Sequence, residues 1–279
     1  AAAATDPDAG ATLTYSLTGA DAALFDINAT TGVVTFKSSP NYETPADAGG
    51  NNVYDVNVTA SDGTNADTKA VAITVTNVNE GPTITSGAAA SFAENAAGAV
   101  YTAAATDPDA GTTLTYSISG ADASLFNINA TTGVVTFKSS PNYEAPGDAG
   151  GNNVYDVTVS ASDGSLTTSK AVAITVTNVN EAPTITSAAT ASLAENGAGT
   201  VYTAAATDPD AGTTLTYSIS GTDAGLFDIN ATTGAVTFKS SPNYESPADA
   251  GGNNVYDVNV TASDGTNSAT KAVAISVTN

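Results

Sequence analysis

The chain repeats itself at one fixed interval. Asp6, Asp107 and Asp208 each open a copy of Asp-Pro-Asp-Ala-Gly and stand 101 residues apart. The same interval relates Tyr42, Tyr143 and Tyr244, then Asp62, Asp163 and Asp264, then Asn77, Asn178 and Asn279, and no insertion breaks the register. A period this long is too large for a solenoid unit and suits a whole small domain. The chain therefore reads as three autonomous modules, over residues 1–80, 81–181 and 182–279. Ala1 aligns with Thr102, so the first module lacks the counterpart of Pro82 to Tyr101, where the others are expected to carry their first strand. On this alignment the chain begins mid-domain.

Within one repeat the apolar residues alternate. Leu114, Tyr116 and Ile118 share one face of a short run, as do Tyr155, Val157, Val159 and Ala161, and then Val172, Ile174 and Val176. Phe126, Ile128, Val135 and Phe137 add two further short strands, and no helical period is sustained. About seven strands in about 100 residues, separated by Gly, Asn, Asp and Pro clusters, predict an all-β immunoglobulin-like Greek-key sandwich. Asn129 to Gly133 is expected to be a turn with Gly133 at positive φ, and Ser139 to Asn153 a loop.

Composition narrows the chemistry. The chain has no Cys, His, Met or Trp, so it offers no thiol nucleophile, no imidazole base and no soft or nitrogen metal ligand. Its 28 acidic residues against 6 lysines give a net charge of -22, which repels nucleic acid and anionic lipid. The lysines are too dispersed for a basic patch, and no apolar run approaches the length of a membrane-spanning helix. The opening four alanines carry no signal pattern, so any targeting signal is expected outside this stretch. Divalent cations are the natural partner of such a chain.

The acids recur at set places. Glu94, Glu144, Glu181, Asp208, Asp210 and Asp264 are far apart in sequence, yet loops of a sandwich alternate between its two ends. Glu94 and Glu144 fall at the far end of the second module, Glu181 in the linker, and the three aspartates at the near end of the third. Six carboxylates crowded into one gap would repel strongly, and protonation or hard cations relieve that. The charge balances three Ca²⁺. The set at the preceding boundary is Glu43, Glu80, Asp107, Asp109 and Asp163, without a counterpart of Glu94. Taken alone, Asp208-Pro209-Asp210 reads first as an acidic turn, a reading that the coincidence of six placed acids reverses, and a glycosidase-like carboxylate pair is disfavoured because the same acids recur in every module.

Together these residues resemble the cadherin-type repeat in its bacterial form. Ala93-Glu94-Asn95 is similar to the family's Pro-Glu-Asn, and Asn142-Tyr143-Glu144 to its acidic motif before the middle strands. Asn178-Val179-Asn180-Glu181-Ala182-Pro183 resembles its linker, Asp208-Pro209-Asp210 its Asp-x-Asp, and Asp264-Gly265 its later Asp-Gly. The resemblance implies calcium between modules, held by the six acids with Asn178 and Asn180 contributing, and by Asn77 and Asn79 with the corresponding acids at the first boundary. Asn142 and Asn178 stand where vertebrate relatives prefer Asp, and Glu181 where they have Asp, which leaves fewer charges at the site. Affinity is expected in the range of about 10⁻⁴–10⁻³ M.

The expected role is a non-enzymatic, calcium-stiffened extracellular stalk of a bacterial surface adhesin or assembly, flanked by further repeats. Two other roles fit the same sequence. One is a filament subunit that accepts a strand from another copy at the open edge of the first module. The other is a carbohydrate- or self-binding module, although nothing in the sequence groups Tyr116, Tyr143 and Tyr155 on one exposed face. The Asn-Ala-Thr sites at Asn28, Asn129 and Asn230 are read as turns, and Lys138 as a solvated strand end rather than a crosslink.

Overall fold

The computed structural model describes residues 1–279. Apart from three single 3-10 turns, at Ala22–Leu24, Ala123–Leu125 and Ala224–Leu226, the regular structure is all strand. In the middle module one sheet orders the strands Thr115–Ser119, Val154–Ser162, Thr167–Thr177 and Ala89–Ala93. The first three are antiparallel neighbours, and the last pair is parallel, with Ala173 opposite Ala89. The facing sheet orders Phe126–Ile128, Val134–Phe137 and Ala99–Thr102, and a small ribbon pairs Thr83–Ile84 with Ala105–Thr106. The third module repeats this arrangement.

The alternating residues fill the space between the sheets. Tyr155, Val157, Val159, Val172, Ile174 and Val176 come from one face, Phe126 and Val135 from the other, and all are buried. Phe126 and Phe137 lie 4.3 Å apart between ring centroids, and Tyr155 meets both edge-on. The same triple recurs as Phe227, Phe238 and Tyr256.

The first module is short of more than one strand. The segment without a counterpart there carries, in the middle module, Thr83–Ile84, Ala89–Ala93 and nearly all of Ala99–Thr102, which contribute to the ribbon and to both sheets. The Ala-rich run Gly87 to Val100 has little alternation to reveal this crossing. Without these strands the core of the first module reduces to Phe25, Tyr54 and Val56, with Val71, Ile73 and Val75 only half-buried.

Turn chemistry fixes the connections. The Asn129 side chain accepts the N–H groups of Thr131 and Thr132, each at 3.0 Å, and Gly133 follows at φ 70°. A Cβ at Gly133 would lie 2.3 Å from the Ala103 carbonyl oxygen, and at Gly234 the same distance from that of Ala204. Gly133→Ala therefore combines backbone strain with a clash, and should destabilise the middle module by about 2 kcal/mol or more. Thermal unfolding compared with an exposed substitution such as Ser139→Ala measures the difference.

The loop from Ser139 to Asn153 is built on two buried carboxylates. Asp122 accepts the N–H groups of Ala149 and Asp156, each at 2.7 Å, tying the loop to the 3-10 turn. Asp148 accepts those of Asn152 and Asn153, each at 3.0 Å. Burial works to raise Asp148, but these backbone N–H groups outweigh it and hold the carboxyl below its ordinary range. Asn153, at φ 62°, then donates from its amide to the Tyr143 carbonyl at 2.8 Å. The neighbouring Glu144 is thereby held at the boundary with the next module.

Candidate metal centre

Glu94 organises the second boundary. It follows the edge strand Ala89–Ala93, its N–H donates to Thr177, and only 2% of it is exposed. Its two carboxylate oxygens accept the N–H groups of Tyr143 and Val179, each at 2.8 Å. One side chain thus fixes both the loop that carries Glu144 and the linker that carries Glu181. Carboxylate oxygens of Glu94, Glu144 and Glu181 lie within 4.8 Å of one another.

The third module meets this cluster with three aspartates. Asp210, 8% exposed, accepts the Asn178 amide at 2.8 Å and the Glu181 N–H at 2.9 Å, so it already spans the boundary. Asp208 accepts the N–H of Asp210 through one oxygen. Asp264 accepts the N–H groups of Thr266 and Asn267, each at 2.6 Å, and the Asn180 amide at 2.8 Å.

At the first boundary Glu43, Glu80 and Asp109 form the corresponding cluster within 4.8 Å. Asp109 accepts the Asn77 amide at 2.7 Å and the Glu80 N–H at 3.0 Å, and Asp163 accepts the Asn79 amide at 2.8 Å. Asp107 accepts the N–H of Asp109 at 2.9 Å. Besides the Glu94 and Asn95 contacts, which have no equivalent at the first boundary, the two differ in that Asn267 donates across to the Asn180 carbonyl at 2.9 Å, whereas its counterpart Leu166 packs beside Gly81. At the chain ends, Asp6, Asp8 and Asp62 lie at one pole, and Glu195 and Glu245 at the other. Asn95, whose amide donates to Glu181 at 2.5 Å, and Asn267 also take part in the boundary, although neither was expected among its site residues. Asn95 recurs as Asn196 after the same Ala-Glu, and that recurrence, with its place in the stretch similar to Pro-Glu-Asn, is the signal that could have found it.

The electrostatics are those of an overcrowded site. Burial raises Glu144 and Glu181 above the ordinary carboxyl range, and the negative charges of Glu94 and Asp210 add to both shifts. Glu80 is raised likewise, by burial and then by Glu43 and Asp109. Asp264 is lowered, first by the Asn180 amide. Five buried carboxylate oxygens have no hydrogen-bond partner: Glu43 Oε1, Asp107 Oδ2, Glu144 Oε2, Glu181 Oε2 and Asp208 Oδ2. Buried polar atoms are ordinarily paired, so this set lacks a positive partner. With oxygen the only donor present, the residues fit a hard divalent cation.

The sequence matches the cadherin domain family over residues 88–177 and again over 189–278. The chain belongs to the cadherin family. Cadherin domains are extracellular adhesion or structural modules that generally bind calcium, and the family is not an enzymatic one. Over 188 residues this cadherin chain is 31% identical to mouse protocadherin Fat 4, a match covering 64% of the chain but 4% of that protein. Its fold is similar to repeats EC22-24 of mouse cadherin-23, with TM-score 0.62 and 23% identity over 99% of this chain and 90% of the other. Repeats EC1-3 of mouse protocadherin-24 give TM-score 0.56 and 25% identity over 96% and 91%. No helix of this cadherin chain is long and apolar enough to cross a membrane.

The raised and lowered groups predict opposite pH effects in the calcium-free chain. Glu144 and Glu181 take up protons more readily in the closed boundary than in an open one. Closure through them is therefore favoured below the ordinary Glu value of about 4.3 and lost as pH rises through their raised values. Asp264 acts in reverse, its contribution present above the ordinary Asp value of about 3.9 and lost as pH falls through its lowered one. Scattering from metal-stripped protein at about pH 5 should therefore report a narrower spread of inter-module angles than at about pH 7.5.

Proposed function

We propose that this chain is a calcium-stiffened segment of an extracellular stalk, of the kind built by large bacterial surface adhesins, with modules over residues 1–80, 81–181 and 182–279. The observation that carries the reading is the set of five unpartnered buried carboxylate oxygens, which fall only at the two module boundaries. At the second boundary the ligands are Glu94, Glu144, Glu181, Asp208, Asp210 and Asp264, with Asn178 and Asn180 orienting the aspartates. At the first they are Glu43, Glu80, Asp107, Asp109 and Asp163, with Asn77 and Asn79 in the same roles.

Calcium, when bound, supplies the positive charge that offsets these carboxylates. The chain's own residues do the rest. Glu94 clamps the loop and the linker, Asp210 joins the linker to the next module, and the Asn180–Asp264 contact fixes the outer side. Closing the boundary costs rotational freedom and charge repulsion, and a ligand that binds only the closed form shifts the balance.

Calorimetric titration of calcium into residues 1–279 tests the assignment. Asp210→Ala should weaken binding at the second boundary several-fold more than Asp208→Ala, because Asp210 is the more enclosed and makes two cross-boundary bonds where Asp208 makes none. Equal, negligible effects would reduce Asp-Pro-Asp to an acidic turn.

A further inference from the structure

The loop that carries Glu144 also roofs a cavity. Between this loop, the 3-10 turn and the end of strand Val134–Phe137 lies a space of about 420 Å³ lined by Leu125, Phe137, Lys138, Pro141, Asn142 and Tyr155. The first module repeats it, at about 380 Å³, with Phe36, Lys37, Asn41 and Tyr54 in the same places. Both volumes fall within the range of about 300–1,000 Å³ typical of small-ligand sites.

What lines the cavity runs against the rest of the chain. Acidic residues outnumber lysines 28 to 6 overall, yet no carboxylate lines either cavity and each contains a lysine. Lys138 donates to the Ser124 carbonyl at 2.7 Å, Lys37 to Ala23 at 2.8 Å and Lys239 to Gly225 at 2.8 Å, so each ammonium is held in place by a single bond. An ammonium has three N–H donors, and the remainder are free for a ligand. The Asn142 carbonyl oxygen is occupied by the Ala145 N–H at 2.8 Å, which leaves its amide as the end available to a ligand. The Tyr155 hydroxyl accepts the Gly147 N–H at 3.2 Å and keeps its own proton to donate. The polar groups are thus donors, set beside the carbon surface of Phe137 and Pro141.

A ligand matching this set is rich in acceptors, carries one negative charge and has an apolar ring face. We propose that the cavity binds the uronic acid unit of an acidic polysaccharide, its carboxylate on the lysine ammonium and its pyranose C–H face against the phenylalanine ring. A phosphate monoester carries more charge than one ammonium offsets in so acidic a chain. The inference goes beyond the stalk reading and is independent of it. A single site of this size binds weakly, with Kd on the order of 1 mM, but the lysine, phenylalanine and tyrosine recur in all three modules. A polymer engaging several of them gains by avidity.

The test is an NMR titration of ¹⁵N-labelled residues 1–279 in saturating calcium, with methyl glucuronide and its neutral twin, methyl glucoside, each to about 20 mM. The glucuronide should shift the amides of Leu125, Lys138 and Asn142 and their counterparts, with a response to the glucoside at least about five-fold weaker. The triple variant Lys37→Gln, Lys138→Gln, Lys239→Gln should lose that preference while the amides of Glu144 and Glu181 stay in place. Equal responses to the two sugars overturn the proposal, as does no response at the highest concentration. Shifts confined to Glu144 and Glu181 also overturn it, since they would report calcium withdrawn by the sugar.

Discussion

Stripping calcium from this chain is expected to loosen its boundaries and leave its complete sandwiches folded. The second and third modules each bury their own core, and neither core includes a residue of the boundary. The boundary itself is held by carboxylates that repel one another once the cation is gone, and by a few amide and backbone bonds such as Asn180 to Asp264. Exposed hydrogen bonds of this kind contribute about 1 kcal/mol each, too little to hold two modules rigid against the mutual repulsion of the clustered carboxylates. Chelation should therefore broaden the particle-length distribution in X-ray scattering and speed proteolysis between Asn178 and Ala182, with circular dichroism nearly unchanged. Restored calcium should reverse both. Scattering and cleavage indifferent to chelation would remove calcium from the mechanism.

Glu94→Ala should be the most damaging single substitution at the second boundary. It removes a proposed ligand and also strands two N–H groups, those of Tyr143 and Val179, which the carboxylate pins to one point. The loop bearing Glu144 and the linker bearing Glu181 then lose their common anchor. Loss of an orienting partner alone typically costs about 10–100-fold in metal affinity, and here a ligand goes with it. Titration should show the second boundary weakened by about 100-fold or more while the first is untouched. Glu94→Gln, which keeps the shape and one acceptor oxygen, should weaken calcium binding with less broadening of the Tyr143 and Val179 amide resonances. An Ala variant that binds like the parent would show that Glu94 only caps the strand.

Much of the fold and the acidic pattern is legible in the sequence, for a physical reason. Alternation in strands such as Tyr155 to Ala161 follows from burial on one face, and an invariant spacing of acids across three copies follows from reuse of one boundary. The remaining features were hidden because they depend on who faces whom. Asp148 falls in a stretch that reads as a loop and Asp122 carries no pattern of its own, and only the structure shows them buried and accepting four backbone N–H groups that shape the loop. The strand Ala89–Ala93 is too rich in alanine for its pattern to separate inside from outside, and in Ala99–Thr102 the adjacent Val100 and Tyr101 are both buried, so no alternation shows. Asn95 looks like a loop asparagine until its amide is seen on Glu181.

The parallel pairing of Ala89–Ala93 with the end of Thr167–Thr177 has a mechanical consequence. The chain enters the middle module just before the first of these strands and leaves it at the end of the second. A pull applied along the chain therefore draws the two strands past each other lengthwise, and the five residue pairs from Ala89–Ala173 to Ala93–Thr177 carry the load together. An antiparallel terminal hairpin would instead open one pair at a time from its free end. In the third module Thr190–Ala194 lies against the final strand in the same way, from Thr190–Ala274 to Ala194–Thr278. Each complete module is thus wired to resist tension along the chain axis in shear.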